Sequence, residues 1–372
     1  MTPKFRVLIV DDSAVCRELL AYILKSDPQI EVAGAVRDGA AALEAVTALR
    51  PDVITMDINM PGMNGYEVTR RIMESTPIPI VIVSAADDTG EVEMGFRAME
   101  SGALAVVPKP RGGESPLFES QSRELILMVR LMAEVKVVRR WSRKPVPPGT
   151  LTGPTVARSL DGTSPRPQQW RTGSSAGFEA VLIGASTGGP LPMKTILSAL
   201  PRDFPAAVLV VQHIAAGFGA GFAEWLGGGL RLPVHVAREG EPILPGHVYI
   251  APDEAHMGVR EGPCIIIGHG EAENGLRPSV SHLFRSAARV YGNKAVGILL
   301  SGMGRDGAEE LKGLRDIGAV TFVQDRESCV VFGMPGEAVS LGGASFIMAP
   351  EAIAAAVVSL AEAGDVTGGT GI

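Results

Sequence analysis

Ser186 stands inside Gly184-Ala185-Ser186-Thr187-Gly188-Gly189, directly after the apolar run Ala180-Val181-Leu182-Ile183 and before a helical pattern from Leu191 to Leu200. A serine on a strand-to-helix turn has its hydroxyl lifted above the sheet edge, beside N–H groups that the helix start leaves unpaired. That combination suits a nucleophile with an oxyanion hole. The same glycine-rich turn could hold a dinucleotide phosphate, so the motif by itself leaves two readings. A serine hydrolase also needs a base and an orienting acid within hydrogen-bond reach. All six histidines lie beyond residue 179. His213 is best placed, after the predicted strand Ala207–Gln212, and His256 is its rival, after a strand near 247–251. His235, His247, His269 and His282 read as surface or packing residues. Two acids fall at the same edge, Asp253 after Ile250-Ala251-Pro252 and Asp306 in Ser301-Gly302-Met303-Gly304-Arg305-Asp306-Gly307. Asp306 and Glu309 also have capping-box spacing, so capping and catalysis both stay open for Asp306.

A second set of chemical residues lies in the first third of the chain. Asp11 and Asp12 end one apolar run, Asp57 follows Val53-Ile54-Thr55-Met56, Ser84 ends Ile80–Val83, and Lys109 sits in Pro108-Lys109-Pro110. In a parallel sheet the carboxyl ends of neighbouring strands form one crevice, so these five side chains should converge. Three carboxylates together call for a hard divalent cation such as Mg²⁺. A hydroxyl and an ammonium beside them would hold the oxygens of a phosphoryl group carried by one carboxylate. Taken singly, each acid could merely cap a helix; the five together make that reading poor.

Alternating strand and helix patterns must position both sets. Apolar runs at Arg6–Val10, Val32–Val36, Val53–Met56, Ile80–Val83 and Ala103–Val107 alternate with helical patterns such as Val15–Lys25 and Ala40–Leu49, which indicates a doubly wound α/β domain. A helix from Leu117 to Trp141 follows, with an apolar stripe through Leu125, Met128, Val129, Met132 and Val135. Residues 142–178 are rich in Pro, Gly, Ser and Thr and carry five basic residues against one acidic, which predicts a flexible tether. Strands are then expected near 180–185, 207–212, 247–251, 264–268, 295–301, 319–323 and 329–332, with helices near 190–200, 218–227, 281–291, 307–317 and 350–362. The expected division is 1–118, a helical extension and linker over 119–178, a second α/β domain over 179–364, and a frayed tail over 365–372.

Composition narrows the function classes. The 372 residues are 46% hydrophobic and 20% charged, which describes an ordinary globular protein of two domains. The net charge of −7 disfavours nucleic acid as a partner, and no apolar run approaches the length needed to insert in a membrane. Three cysteines, Cys16, Cys264 and Cys329, show no metal-ligand spacing and suit a reducing cytoplasm.

The run Met56-Asp57-Ile58-Asn59-Met60-Pro61-Gly62-Met63-Asn64-Gly65, with the acids and Lys109, resembles the receiver domain of two-component response regulators. The resemblance implies Asp57 as phospho-acceptor, Asp12 as a direct Mg²⁺ ligand with Asp11 assisting, and Ser84 and Lys109 as phosphoryl contacts. Many receivers place Phe or Tyr three residues before the lysine as a rotameric switch; this chain has Val106 there.

Residues 179–361 are similar to the catalytic domain of the chemotaxis receptor methylesterase family. The similarity is carried by Gly184–Gly189, Gln212-His213, Arg277-Pro278-Ser279-Val280, Leu300–Gly307 and Val331-Phe332-Gly333-Met334-Pro335. It implies a Rossmann-like parallel-sheet hydrolase domain with Ser186 as nucleophile, His213 as base, Asp306 as orienting acid, and the N–H groups of Thr187 and Met303 as oxyanion hole. Two positions depart from the family pattern: Ile214-Ala215 replaces Met-Pro, and Ser281 replaces Asp. The implied activity is removal of methyl esters from chemoreceptor glutamates with release of methanol, and deamidation of receptor glutamines. Phosphorylation by a histidine kinase would activate it, from a resting state in which the receiver covers the catalytic cleft. Hydrolysis would need no cofactor, and the expected protein is a cytoplasmic monomer. An adaptor with an idle catalytic domain is the alternative, and a DNA-binding regulator lacks any helix-turn-helix segment after the tether.

Overall fold

The structure is a computed structural model, and it describes residues 4–85, 89–113, 115–135, 137 and 177–365. Most of the predicted tether, the segment up to Trp141 and the tail from residue 366 lie outside the described residues. Contacts divide the chain into two compact units, Met1–Thr152 and Gly153–Ile372.

The first unit runs β1 (Phe5–Val10), α1 (Ala14–Lys25), β2 (Ile30–Val36), α2 (Gly39–Leu49), β3 (Val53–Met56), α3 (Gly65–Ser75), β4 (Ile80–Ser84), α4 (Thr89–Glu100), β5 (Ala105–Pro108) and α5 (Phe118–Ala133). Its strands form one sheet in the order β2-β1-β3-β4-β5, with every pair parallel. Residues of β3 and β4 are buried throughout, which is why they read as unbroken apolar runs rather than as alternations. Ser13, Asp38 and Asn64 end the preceding loops and accept hydrogen bonds from the N–H groups of Cys16, Ala41 and Glu67, so α1, α2 and α3 each start on a side-chain cap. The last helix stops at Ala133, short of the expected Trp141. Leu125, Val129 and Met132 are its buried stripe, and Glu134 closes it with its N–H bonded back to Met132 O.

The second unit runs β6 (Ala180–Ala185), α6 (Pro190–Ser198), β7 (Ala207–Gln212), α7 (Gly219–Gly227), β8 (Val234–Val236), β9 (Val248–Ile250), β10 (His256–Arg260) and β11 (Cys264–Gly268). It continues with α8 (Val280–Tyr291), β12 (Ala295–Leu299), α9 (Ala308–Asp316), β13 (Val320–Gln324), α10 (Met334–Ser340), β14 (Phe346–Met348) and α11 (Pro350–Asp365). Seven strands form a parallel sheet in the order β14-β13-β12-β6-β7-β9-β8. Trp225, Tyr249, Phe204, Phe218, Phe222 and Phe284 are among its largest fully buried side chains.

Two expectations for this unit need correction. The run 264–268 does not continue the parallel alternation: it pairs antiparallel with β10 in a separate two-stranded sheet. Only three residues join the two strands, with Gly262 at φ 80, and so short a link can return the chain only antiparallel. The run 329–332 forms no strand. It contributes one parallel bridge, Gly302 to Phe332, because the chain turns at Gly333 into α10. No helix among the described residues is long and apolar enough to cross a membrane.

Candidate functional site

In the seven-stranded sheet β6 is the first strand in the unit, with β7 following it on one side and β12 flanking it on the other. The carboxyl ends of these three strands therefore meet at a topological switch point. Ala185 pairs with Gln212 in register, so Ser186 and His213 leave neighbouring strand ends side by side. The His213 N–H donates to Ala185 O at 2.9 Å, and Ser186 N–H donates to Ser301 O at 3.0 Å. Those two bonds tie the turn after β6 to the segments after β7 and β12.

Asp306 is carried on the loop between β12 and α9. Its Oδ2 lies 2.9 Å from His213 Nε2. It does not cap its own helix, whose cap is Gly307 at φ 80 with no side-chain bond. Instead it sits at the start of α8, where Ser279 Oγ donates to Oδ1 at 2.8 Å, Val280 N to Oδ2 at 2.6 Å and Ser281 N to Oδ1 at 3.2 Å. Burial alone would raise the Asp306 carboxyl, but His213 and these donors outweigh it and hold the group well below the usual carboxylate range. An ionised carboxylate only accepts, so His213 Nε2 carries a proton toward it, and in the neutral imidazole the lone pair is on Nδ1.

Both rivals have other work. Asp253 accepts from the N–H groups of Gly217 at 2.9 Å and Gly219 at 3.2 Å, fixing the entry to α7. His256 opens β10, is 2% exposed, and bonds through Nε2 to Glu271 O at 3.0 Å. Its ring stacks on His282, with centroids 4.7 Å apart. The departure at Ser281 is accommodated locally. Ser281 Oγ accepts from Gly307 N at 2.9 Å and bonds Glu310 Oε2 at 2.6 Å, and Glu310 in turn binds Arg285 at 2.9 Å.

Ser301 and Gln212 hold the site together, and neither was singled out as chemistry-bearing in the sequence. Ser301 is fully buried; its Oγ donates to Thr187 O at 2.7 Å and accepts from Val331 N at 3.0 Å, while its N–H donates to Gln324 Oε1 at 2.8 Å. Gln212 Nε2 donates to Ser186 O and His213 O, both at 2.9 Å. Gly188 takes φ +77, and a Cβ there would lie 2.7 Å from Ser301 Oγ, so the turn accepts no side chain. Gly302 is as tight: its Cβ would fall 2.8 Å from Ser186 Cβ. Thr187 follows Ser186 in the turn, and Met303, 44% exposed, follows Gly302 on the facing loop.

The first unit repeats the arrangement with different chemistry. Its switch point lies between β1 and β3, where Asp11 and Asp12 leave one strand and Asp57 the other. Carboxylate oxygens of Asp11, Asp12 and Asp57 all lie within 4.8 Å of one another. Lys109 Nζ stands 2.8 Å from Asp57 Oδ1 and 3.2 Å from Asp11 Oδ2, and apart from this ion pairing those two buried oxygens have no hydrogen-bond donor. Burial pushes the Asp57 carboxyl up to about 6, against the lowering effect of Lys109 and with the help of Asp11 and Glu91. Burial works against the Lys109 ammonium, but Asp57 and Asp11 outweigh it and raise the group above its ordinary value. Hard carboxylate oxygens, two of them lacking a hydrogen-bond donor, fit a small hard cation such as Mg²⁺, which Asp11, Asp12 and Asp57 would hold. Ser84 is buried at the end of β4, and Lys109 N–H bonds its carbonyl at 2.8 Å, which draws the two phosphoryl-contact candidates together.

Residues 7–117 match the family described as response regulator receiver domain, and residues 181–357 match CheB methylesterase. A relative from Syntrophus aciditrophicus (strain SB), protein-glutamate methylesterase/protein-glutamine glutaminase 1, is 51% identical over 360 residues, covering 96% of this chain and 98% of its own. The protein-glutamate methylesterase/protein-glutamine glutaminase of Nitrosospira multiformis is 50% identical over 363 residues, covering 96% of this chain and 98% of its own. The solved CheB methylesterase catalytic domain of Thermotoga maritima is 35% identical, covering 50% of this chain and 99% of that one at a TM-score of 0.48. With half of all residues shared with full-length relatives, and a receiver match preceding a methylesterase match, the chain belongs to the family of protein-glutamate methylesterases/protein-glutamine glutaminases.

Proposed function

We propose that the second unit hydrolyses the γ-methyl esters of glutamate side chains on chemoreceptor helices and deamidates glutamines there, under control of Asp57 phosphorylation in the first. The observation that carries the catalytic assignment is the 2.9 Å contact between His213 Nε2 and Asp306, formed where His213 and Ser186 leave paired strand ends. Asp306, ionised by its donors, fixes the imidazole with Nε2–H toward itself and Nδ1 free to act as base. His213 Nδ1 takes the Ser186 Oγ proton as Oγ bonds to the γ-carbonyl carbon. The N–H groups of Thr187 and Met303 receive the oxyanion. Collapse breaks the ester C–O bond, and His213 returns its proton to the departing methoxide, giving methanol. Water repeats the sequence on the acyl-enzyme and frees the glutamate. On glutamine the leaving group is ammonia. Every step is carried by this chain's side chains and N–H groups, so hydrolysis asks for no cofactor. The exposed Met303 beside the site suits a substrate on a helix surface, because a flexible thioether adapts to varied apolar neighbours.

In the first unit Asp57 is the phospho-acceptor and a histidine kinase its donor. Asp12, Asp11 and Asp57 would hold Mg²⁺, which neutralises the charge of the incoming phosphoryl group, while Ser84 and Lys109 bind its oxygens. The working division is a receiver over 1–118, a helical extension and linker over 119–178 and the hydrolase over 179–364, in a cytoplasmic protein. No observation favours the idle adaptor. The deciding experiment is Ser186→Ala assayed for methanol release from methylated receptors. We expect a loss of roughly 10⁴-fold or more with an unchanged melting profile. Turnover near the parent rate would end the serine-hydrolase reading.

A further inference from the structure

The donors that should receive the phosphoryl group are already bound to a carboxylate. Glu91, in the first turn of α4, accepts from Ser84 Oγ at 3.2 Å and from Ala85 N at 2.6 Å through Oε1. Its Oε2 accepts from Asn59 Nδ2 at 2.9 Å. Ser84 is the hydroxyl assigned to the phosphoryl oxygens, Ala85 is the next N–H along the same strand end, and Asn59 lies two residues past Asp57. A carboxylate therefore holds, with three charge-assisted bonds, the polar groups that a phosphoryl group on Asp57 would need.

We infer that Glu91 is an internal competitor for the phosphoryl site: it occupies the Ser84–Ala85 donor pair while Asp57 is unmodified and must be displaced when Asp57 is phosphorylated. Resting on the assignment of Asp57 as acceptor, the inference follows from charge and valence. One N–H and one hydroxyl proton cannot serve a carboxylate and a phosphoryl dianion at once. Bringing both anions to the pair adds like-charge repulsion in a part-buried site. Displacement moves more than a side chain. Glu91 and Gly95 lie four residues apart on one face of α4, and a Cβ at Gly95 would sit 3.1 Å from Val106 Cγ1. The helix thus rests on β5 at the position where many receivers carry an aromatic switch residue. Its small partner leaves α4 seated directly against the sheet, so release of Glu91 at the helix start is transmitted through the helix itself.

The test uses the full-length protein with Mg²⁺ and beryllofluoride, a non-covalent phosphoryl mimic, and reads affinity by fluorine NMR. Acetyl phosphate labelling of Asp57, read by intact mass, runs in parallel. Glu91→Gln keeps the size and the acceptor but removes the charge, and Glu91→Ala removes both. Both are expected to bind beryllofluoride roughly tenfold tighter than the parent, the loss of about one unit of opposing interaction. Glu93→Gln, on the same helix and paired with Arg97 instead, should leave affinity unchanged. Parent-like or weaker binding in both Glu91 variants, with binding abolished in Asp57→Asn, overturns the competitor and leaves the acceptor assignment standing. Parent-like binding and labelling in Asp57→Asn overturns the acceptor assignment itself. If Glu91→Ala melts early, Glu91→Gln decides the matter alone.

Discussion

Asp57 and Asp306 lie past the carboxyl ends of parallel strands, both buried, each beside a switch point of its sheet, and their surroundings drive them apart. Asp306 receives four hydrogen bonds, three from the start of α8 and one from His213, and is held ionised. Asp57 is pushed up to about 6 chiefly by burial, with an ammonium at 2.8 Å opposing the rise and the nearby Asp11 and Glu91 carboxylates adding to it. The contrast teaches that burial does not set the role of a strand-end acid; the donor count does. A carboxylate whose lone pairs are all engaged is a fixed electrostatic fitting. One left short of donors in a crowd of anions keeps open valence for a metal and a phosphoryl group.

The largest test of that contrast is Asp306→Asn. The amide keeps the shape but offers an N–H where an acceptor is required, which favours the wrong imidazole tautomer. Methanol release should fall roughly 10⁴-fold in kcat with little change in KM. A loss below tenfold would mean that the four-donor cradle is a helix cap and nothing more.

A smaller effect is expected from Ser301→Ala. It removes the hydroxyl that joins Thr187 O to Val331 N, loosening the two loops that carry the proposed oxyanion donors. We expect kcat to drop on the order of tenfold while KM holds, the mark of an interaction felt in the transition state. A matching rise in KM with constant kcat would assign Ser301 to substrate binding instead.

The smallest effects are on stability. Asp57 has a folded value above its ordinary 3.8, so in the metal-free protein the folded first unit binds more protons than its unfolded chain between about 6 and 3.8. Its melting temperature should rise as pH falls through 6, and Asp57→Asn should flatten that rise. Asp306 has the opposite sign: its depressed value stabilises the second unit above the ordinary carboxylate range and is lost as pH falls through it. Between pH 7 and 5 the first calorimetric transition should rise while the second stays level, the second falling only below the ordinary carboxylate range. A first transition that falls over that interval, in chelator, would break the comparison.

Much of this was legible because buried parallel strands write themselves as continuous apolar runs, and the residue after such a run sits at the crevice. That is why Asp57, Ser186 and His213 were found at their places from order alone. The three-residue strands Val234–Val236 and Phe346–Met348 are too short to show a period, and the run 264–268 has the same apolar look in a hairpin as in a parallel sheet. Strand order alone left Asp253 and Asp306 both open, since both follow strands; the family resemblance pointed to Asp306, and the loop geometry sets its carboxylate against His213. Ser301 and Glu91 carried no signal of their own: a serine past a strand and a glutamate in a helix's first turn are ordinary residues until the fold brings partners to them.

Gly302 carries a consequence for how such enzymes lose function. Its backbone lies so near the nucleophile turn that a single methyl group would collide with Ser186. A substitution at Gly302 would keep serine, histidine and aspartate in the sequence and still force the Ser186 turn or Met334 to move.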